Sequence, residues 1–156
     1  MTSQTPNKAA MTNGRLVQLE RGDNAIFISL TRTSTLSITT AGTIVTWQSL
    51  IDAGCAASWS GSNITVPVSG YYSLTIKGSF ALKDGVTGDV IVNGVEVATM
   101  GTGDGKDTKF RLTSTRFFKA DDVVQIKLTM ATGTHTLQVV TEDSAGESPI
   151  CHMVLL

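Results

Sequence analysis

The chain has 156 residues, enough for one domain with a substantial buried core and no second domain. Hydrophobic residues make up 41% and charged ones only 16%, with a formal net charge of -1, so no single-sign field is present to attract nucleic acid or an anionic membrane surface. No segment reaches the roughly 18 to 20 consecutive apolar residues of a membrane-spanning helix.

Residues 1–14 are polar and aperiodic, with Pro6 and Gly14, and cannot bury enough surface to order alone. Residues 1–24 are therefore expected to be a flexible arm and lead-in strand, ahead of one folded domain over 25–156. The start carries Met1 but no apolar run behind a basic segment, which argues against a secretory signal and for synthesis in a cytoplasm. Under reducing conditions Cys55 and Cys151 read as small buried hydrophobes, and two cysteines alone make no metal site. No cofactor is expected.

From residue 16 onward short apolar runs recur between turn signals, at 16–19, 25–30, 36–38, 43–47 and 63–66, each of strand length and β-rich composition. Residues 48–53 read as a short turn. Pro67 has no N–H to give a neighbour, so 63–66 is expected to be a short edge strand leading into a long internal one over 70–80, where apolar residues alternate cleanly. Asn93-Gly94 between 89–92 and 95–98 is a strong hairpin signal. Strands follow at 109–118 and 123–130, the latter with Val124, Ile126, Leu128 and Met130 on one face, and then at 135–141. The apolar end 151–156 predicts a buried last strand. No dozen residues carry a capped helical period, so the chain reads as all-β, and many short strands at regular spacing mean an antiparallel sandwich or jelly roll.

The order of these features resembles the complement-one-q/tumour-necrosis-factor superfamily. The likeness is carried by the 25–28 strand, Trp47 before a polar turn, the Pro67-Val68-Ser69-Gly70-Tyr71-Tyr72 step, Asn93-Gly94, the turn before Val123 and the terminal strand. Where that family usually has Gly-Asp, this chain has Asp121-Asp122. The resemblance implies a tumour-necrosis-factor-like fold, an antiparallel jelly-roll sandwich of about ten strands, that associates as a homotrimer about a three-fold axis. Bacteriophage structural proteins, head decoration or fibre proteins among them, also look like this and need no export signal.

Individual motifs have plain structural readings. Arg21-Gly22-Asp23 is a turn, and Asn63-Ile64-Thr65 is a strand with a threonine. Residues 101–107 mix glycines with Asp104 and Asp107, but a phosphate loop needs a following helix and 109–118 reads as strand. A calcium loop needs more oxygen ligands, for which Asp84 and Asp89 are the nearest candidates. His135 and His152 lie in strands with no serine–aspartate constellation evident around them, so no enzyme is expected. Trp59, Asp104, Lys106 and Asp107 remain candidates for loop contacts, with an exposed Trp59 suited to a glycan. Tyr71, His152 and Val154 are candidates for the trimer interface.

These features lead to the expectation of a non-enzymatic capsid decoration (cement) trimer, made in a bacterial cytoplasm and bound to the outer capsid surface of a virion. Its partner is then the phage's major capsid protein, met in part by arm residues Thr5, Pro6, Asn7, Met11 and Asn13. The alternative expectation is a tail fibre or spike module that recognises a host glycan or protein.

Overall fold

A computed structural model describes residues 25–54, 58–139 and 148–156. The 1–24 arm, with Thr5, Pro6, Asn7, Met11 and Asn13, the lead-in strand at 16–19 and Cys55 lie outside the described residues.

Thirteen strands and no helix are present among the described residues. They are β1 (Phe27–Thr31), β2 (Leu36–Ile38), β3 (Thr43–Ile44), β4 (Ser49–Ala53), β5 (Ser58–Ser60), β6 (Asn63–Thr65), β7 (Gly70–Ser79), β8 (Val86–Val92), β9 (Val95–Thr102), β10 (Lys109–Phe118), β11 (Val123–Met130), β12 (His135–Leu137) and β13 (Ile150–Leu155). Several are only two or three residues long, which is why the number exceeds the expected ten. The first sheet runs β10-β7-β13-β1-β4, and the second runs β5-β6-β11-β8-β9 with β3 also paired to β11; every pairing is antiparallel. A ribbon of β12 and β2 stands beside them.

Period-two alternation builds the core. Tyr72, Leu74 and Ile76 from β7, Cys151 and Met153 from β13, and Ile28 and Leu30 from β1 point inward from the first sheet. Ile64, Val90, Val124, Ile126 and Leu128 meet them from the second. The first and last strands of the domain are neighbours at the centre of one sheet, with Phe27 opposite Val154 and Thr31 opposite Ile150. The terminal strand is thus internal, as its apolar sequence implies.

Two expectations are corrected. Residues 49–53 form β4, an edge strand on β1, rather than a turn. The composition hid it because its apolar residues are left exposed at the rim, Leu50 46% and Ile51 52%, around an irregularity in the β1 register. Strand β6 is not an edge either, since it lies between β5 and β11. Pro67 falls just beyond its end, where its missing N–H costs no ladder bond.

The turns obey their chemistry. Asn93 and Gly94 both take positive φ, 51° and 83°, as a two-residue hairpin between right-twisted strands requires. Asp121 sits at φ 72°, the left-handed position that a glycine would fill, and Asp122 closes the turn by accepting the Lys119 N–H at 2.8 Å. The Asp121-Asp122 departure therefore keeps the turn geometry.

Candidate functional site: the outer face of the first sheet

The face of the first sheet that points away from the core is built in four rows, read from the registers of five strands. Phe117, Tyr71 and Leu156 form one end, the last tied by its N–H to the Tyr71 carbonyl at 2.9 Å. Next come Thr115, Ser73, Val154 and Phe27. The third row is Thr113, Thr75, His152, Ser29 and Asp52, and the fourth is Arg111, Lys77, Ile150, Thr31 and Ser49. All three candidate interface residues, Tyr71, His152 and Val154, lie on this one face.

Each row has its own character. Tyr71 is 61% exposed and packs edge-on against Phe117, 45% exposed, with ring centroids 5.4 Å apart. Exposed aromatics in a pair on a flat sheet offer large contact area at small entropic cost to a partner surface. The third row is a hydroxyl and imidazole band: the Thr75 and Thr113 hydroxyls meet at 3.1 Å, and Ser29 Oγ shares a hydrogen bond with His152 Nδ1. Phe27 lies against the same imidazole at 6.2 Å. Arg111 and Lys77 lie directly opposite each other in the fourth row, and neither has an ion pair among the described residues.

Serine, histidine and aspartate do come together here, contrary to the sequence expectation. Their order across the strands is His152, Ser29, Asp52, so the hydroxyl sits between imidazole and carboxylate. A nucleophilic relay needs the imidazole in the middle, taking the serine proton on one nitrogen and held by the carboxylate on the other. The row is a hydrogen-bonded surface band, not a relay. Sequence reasoning missed Ser29 and Asp52 because they are far from His152 in the chain and meet it only through strand pairing.

Elsewhere the carboxylates are already engaged. Asp84 accepts from the Gly85 and Thr132 N–H groups at 2.9 and 3.0 Å, and from the Thr132 hydroxyl at 3.2 Å, while pairing with His135 at 3.1 Å. Those hydrogen bonds, the Thr132 N–H first, and the charge of His135 last, hold its carboxyl below the ordinary value. On the opposite sheet Asp89 is buried and accepts from the Thr99 hydroxyl at 3.0 Å, and burial raises its carboxyl, with Glu96 adding to the effect. Asp104 and Asp107 cap their own loop through the Lys106 and Lys109 N–H groups at 2.9 and 3.2 Å, which lowers the Asp107 carboxyl. The four aspartates considered for calcium thus spend their oxygens separately. Lys106 is exposed on that loop.

Trp59 is half-buried against the core and donates its Nε1–H to the Gly61 carbonyl at 3.2 Å, so it is not the open stacking platform its serine-rich setting suggests. Cys151 is fully buried and its thiol is pushed up to about 12 by burial. Arg32 is buried as well, its pKa lowered by burial, and its guanidinium donates to Ser34 and Thr35 carbonyls and to Thr46, tying two loops together. A cleft of about 250 Å³ opens between β9 and β10, with Arg116, Phe118, Val97 and Asp122 in its walls. Its Asp122 is committed to Asn93 and to the Lys119 N–H.

Two packed antiparallel sheets with the first and last strands paired at the centre of one define a tumour-necrosis-factor-like jelly roll. Solved structures of that class superpose on it: murine APRIL at pH 8.5 covers 85% of this chain and 99% of its own, with a TM-score of 0.58 and 17% identity. The Eiger TNF of S. frugiperda covers 85% and 93%, with a TM-score of 0.51 and 13% identity. At these identities the likeness is one of fold. No family model matches the sequence, and no curated protein does.

Proposed function

We propose that this chain is a non-enzymatic structural module that works as a homotrimer, closed through the outer face of its first sheet. The observation that supports this most is the Tyr71–Phe117 pair, two adjacent aromatics held out of the core on long, well-paired strands. Alternation would place polar residues there if the face met only water. The exposed Ile51 at the irregular β4 edge of the same sheet adds to the apolar surface that association would cover. A trimer of this kind buries well over the roughly 2,000 Å² of an obligate interface.

The finer reading is that the trimer decorates the outer capsid of a bacteriophage and holds neighbouring shell subunits together. Three equivalent footholds on one local three-fold raise the effective concentration of each contact. The low charge and the polar, proline-containing first fourteen residues support this reading, as does a buried Cys151 with no disulfide among the described residues. Sedimentation of the purified chain tests the trimer: three chain masses are expected at micromolar concentration, and Phe117→Asp is expected to give folded monomers. A wild-type monomer would refute the assembly. Copy number tests the location, since a decoration trimer is present in tens to hundreds per particle and a fibre-tip module in very few.

A further inference from the structure

The charges on the associating face are sorted by edge. On the β10 side, Arg111 and Lys77 stand directly opposite each other, with Lys109 one row further along, and like charges facing across strands destabilise a pair. On the β4 side stands Asp52, the only acidic side chain in these rows among the described residues, and exposed. Within one chain these groups lie at opposite edges, with three strands between β10 and β4. Among the described residues neither cation has an ion pair, and the Asp52 carboxylate is met only by its neighbour's Ala53 N–H at 2.9 Å.

Resting on the trimer reading above, we propose that Arg111, with Lys77 beside it, pairs with Asp52 of the next copy of this chain, and that this contact sets the head-to-tail order of the ring. A closed ring of three is heterologous: one edge of the face meets the opposite edge of the neighbour, so the two edges must be complementary and not self-complementary. The apolar content fits the same order, with Phe117 and Tyr71 on the β10 side and the exposed Ile51 at the β4 rim. Rotation about an axis along the strands preserves height. Asp52 and Arg111 occupy adjacent same-face rows, about 7 Å apart along the strand direction. An extended arginine side chain spans that offset, and its planar fork suits a carboxylate. A face-to-face two-fold about an axis across the strands would instead bring like edges into register and leave the cations unanswered.

Charge exchange tests the pair. Asp52→Arg and Arg111→Glu are each expected to raise the trimer dissociation constant at least tenfold by sedimentation, and the double variant to recover most of that loss, with circular dichroism confirming folded chains. Unchanged trimers in both single variants overturn the pair while leaving the trimer intact, as does a double variant no better than the singles. A wild-type monomer overturns the trimer and the pair with it. If either single variant fails to fold, the wild type decides alone: its dissociation constant is expected to rise severalfold between 50 mM and 1 M sodium chloride, and an unchanged or tighter trimer refutes the pair.

Discussion

Tyr72 ties the corner between β6 and β7, and removing its hydroxyl alone measures how firmly. The side chain is fully buried, its ring centroid is 5.8 Å from that of Phe118, and its hydroxyl donates to the Val68 carbonyl at 2.8 Å. Burial raises the phenol's pKa, so it remains a neutral donor across the working range. Tyr72→Phe keeps the ring and its packing and deletes one hydrogen bond, which costs about 1 kcal/mol, rising to about 2 if the Val68 carbonyl is left dry. Tyr72→Ala removes the ring as well and costs about 3–5 kcal/mol. Urea unfolding at matched protein concentration reads both. With a slope on the order of 2 kcal/mol/M, the phenylalanine variant moves the midpoint down by about 0.5–1 M without changing the slope. A midpoint shift too small to measure would show that the corner is held by Pro67 and the flanking strands and not by this bond.

Two further outcomes are expected from the turns. Asn93→Ala faces the left-handed backbone penalty and loses the bonds to the Val123 N–H and the Asp122 carboxylate, both 2.9 Å, for a total of about 2 kcal/mol. Asn93→Gly restores the backbone alone and should recover about half of that in the same urea titration; equal losses in the two variants would contradict the backbone share. The Asp84 carboxyl is held below its ordinary value of 3.8, so its contribution is complete above that pH and disappears as pH falls through the folded value. Asp84→Asn should therefore flatten the fall in urea midpoint below about pH 4, and an unchanged acid limb would show that this carboxylate is not linked to folding.

How much of this was legible in the residues follows from the range of each force. Local chemistry sufficed for the Asn93-Gly94 hairpin, for β7, β10 and β11, and for the buried terminal strand, because alternation and turn residues act within a few positions. The same local rules failed at 49–53, where β4 leaves its apolar residues exposed at the rim, and at Pro67, which ends β6 without placing it at an edge. Tyr71, His152 and Val154 were legible as one face because their strands alternate so regularly.

The all-β sandwich class follows from the chain alone, since period-two burial requires two facing sheets to hide Tyr72, Ile126 and Met153 together, and the jelly-roll order is what the resemblance implied. Tertiary structure alone decided that Ser29 sits between His152 and Asp52, that Arg111 stands opposite Lys77, and that cations and carboxylate occupy opposite edges of one sheet. Those neighbours are far apart in sequence and are joined by strand register. A slip of one residue would turn every one of them to the other face, and no local rule specifies register over such separations.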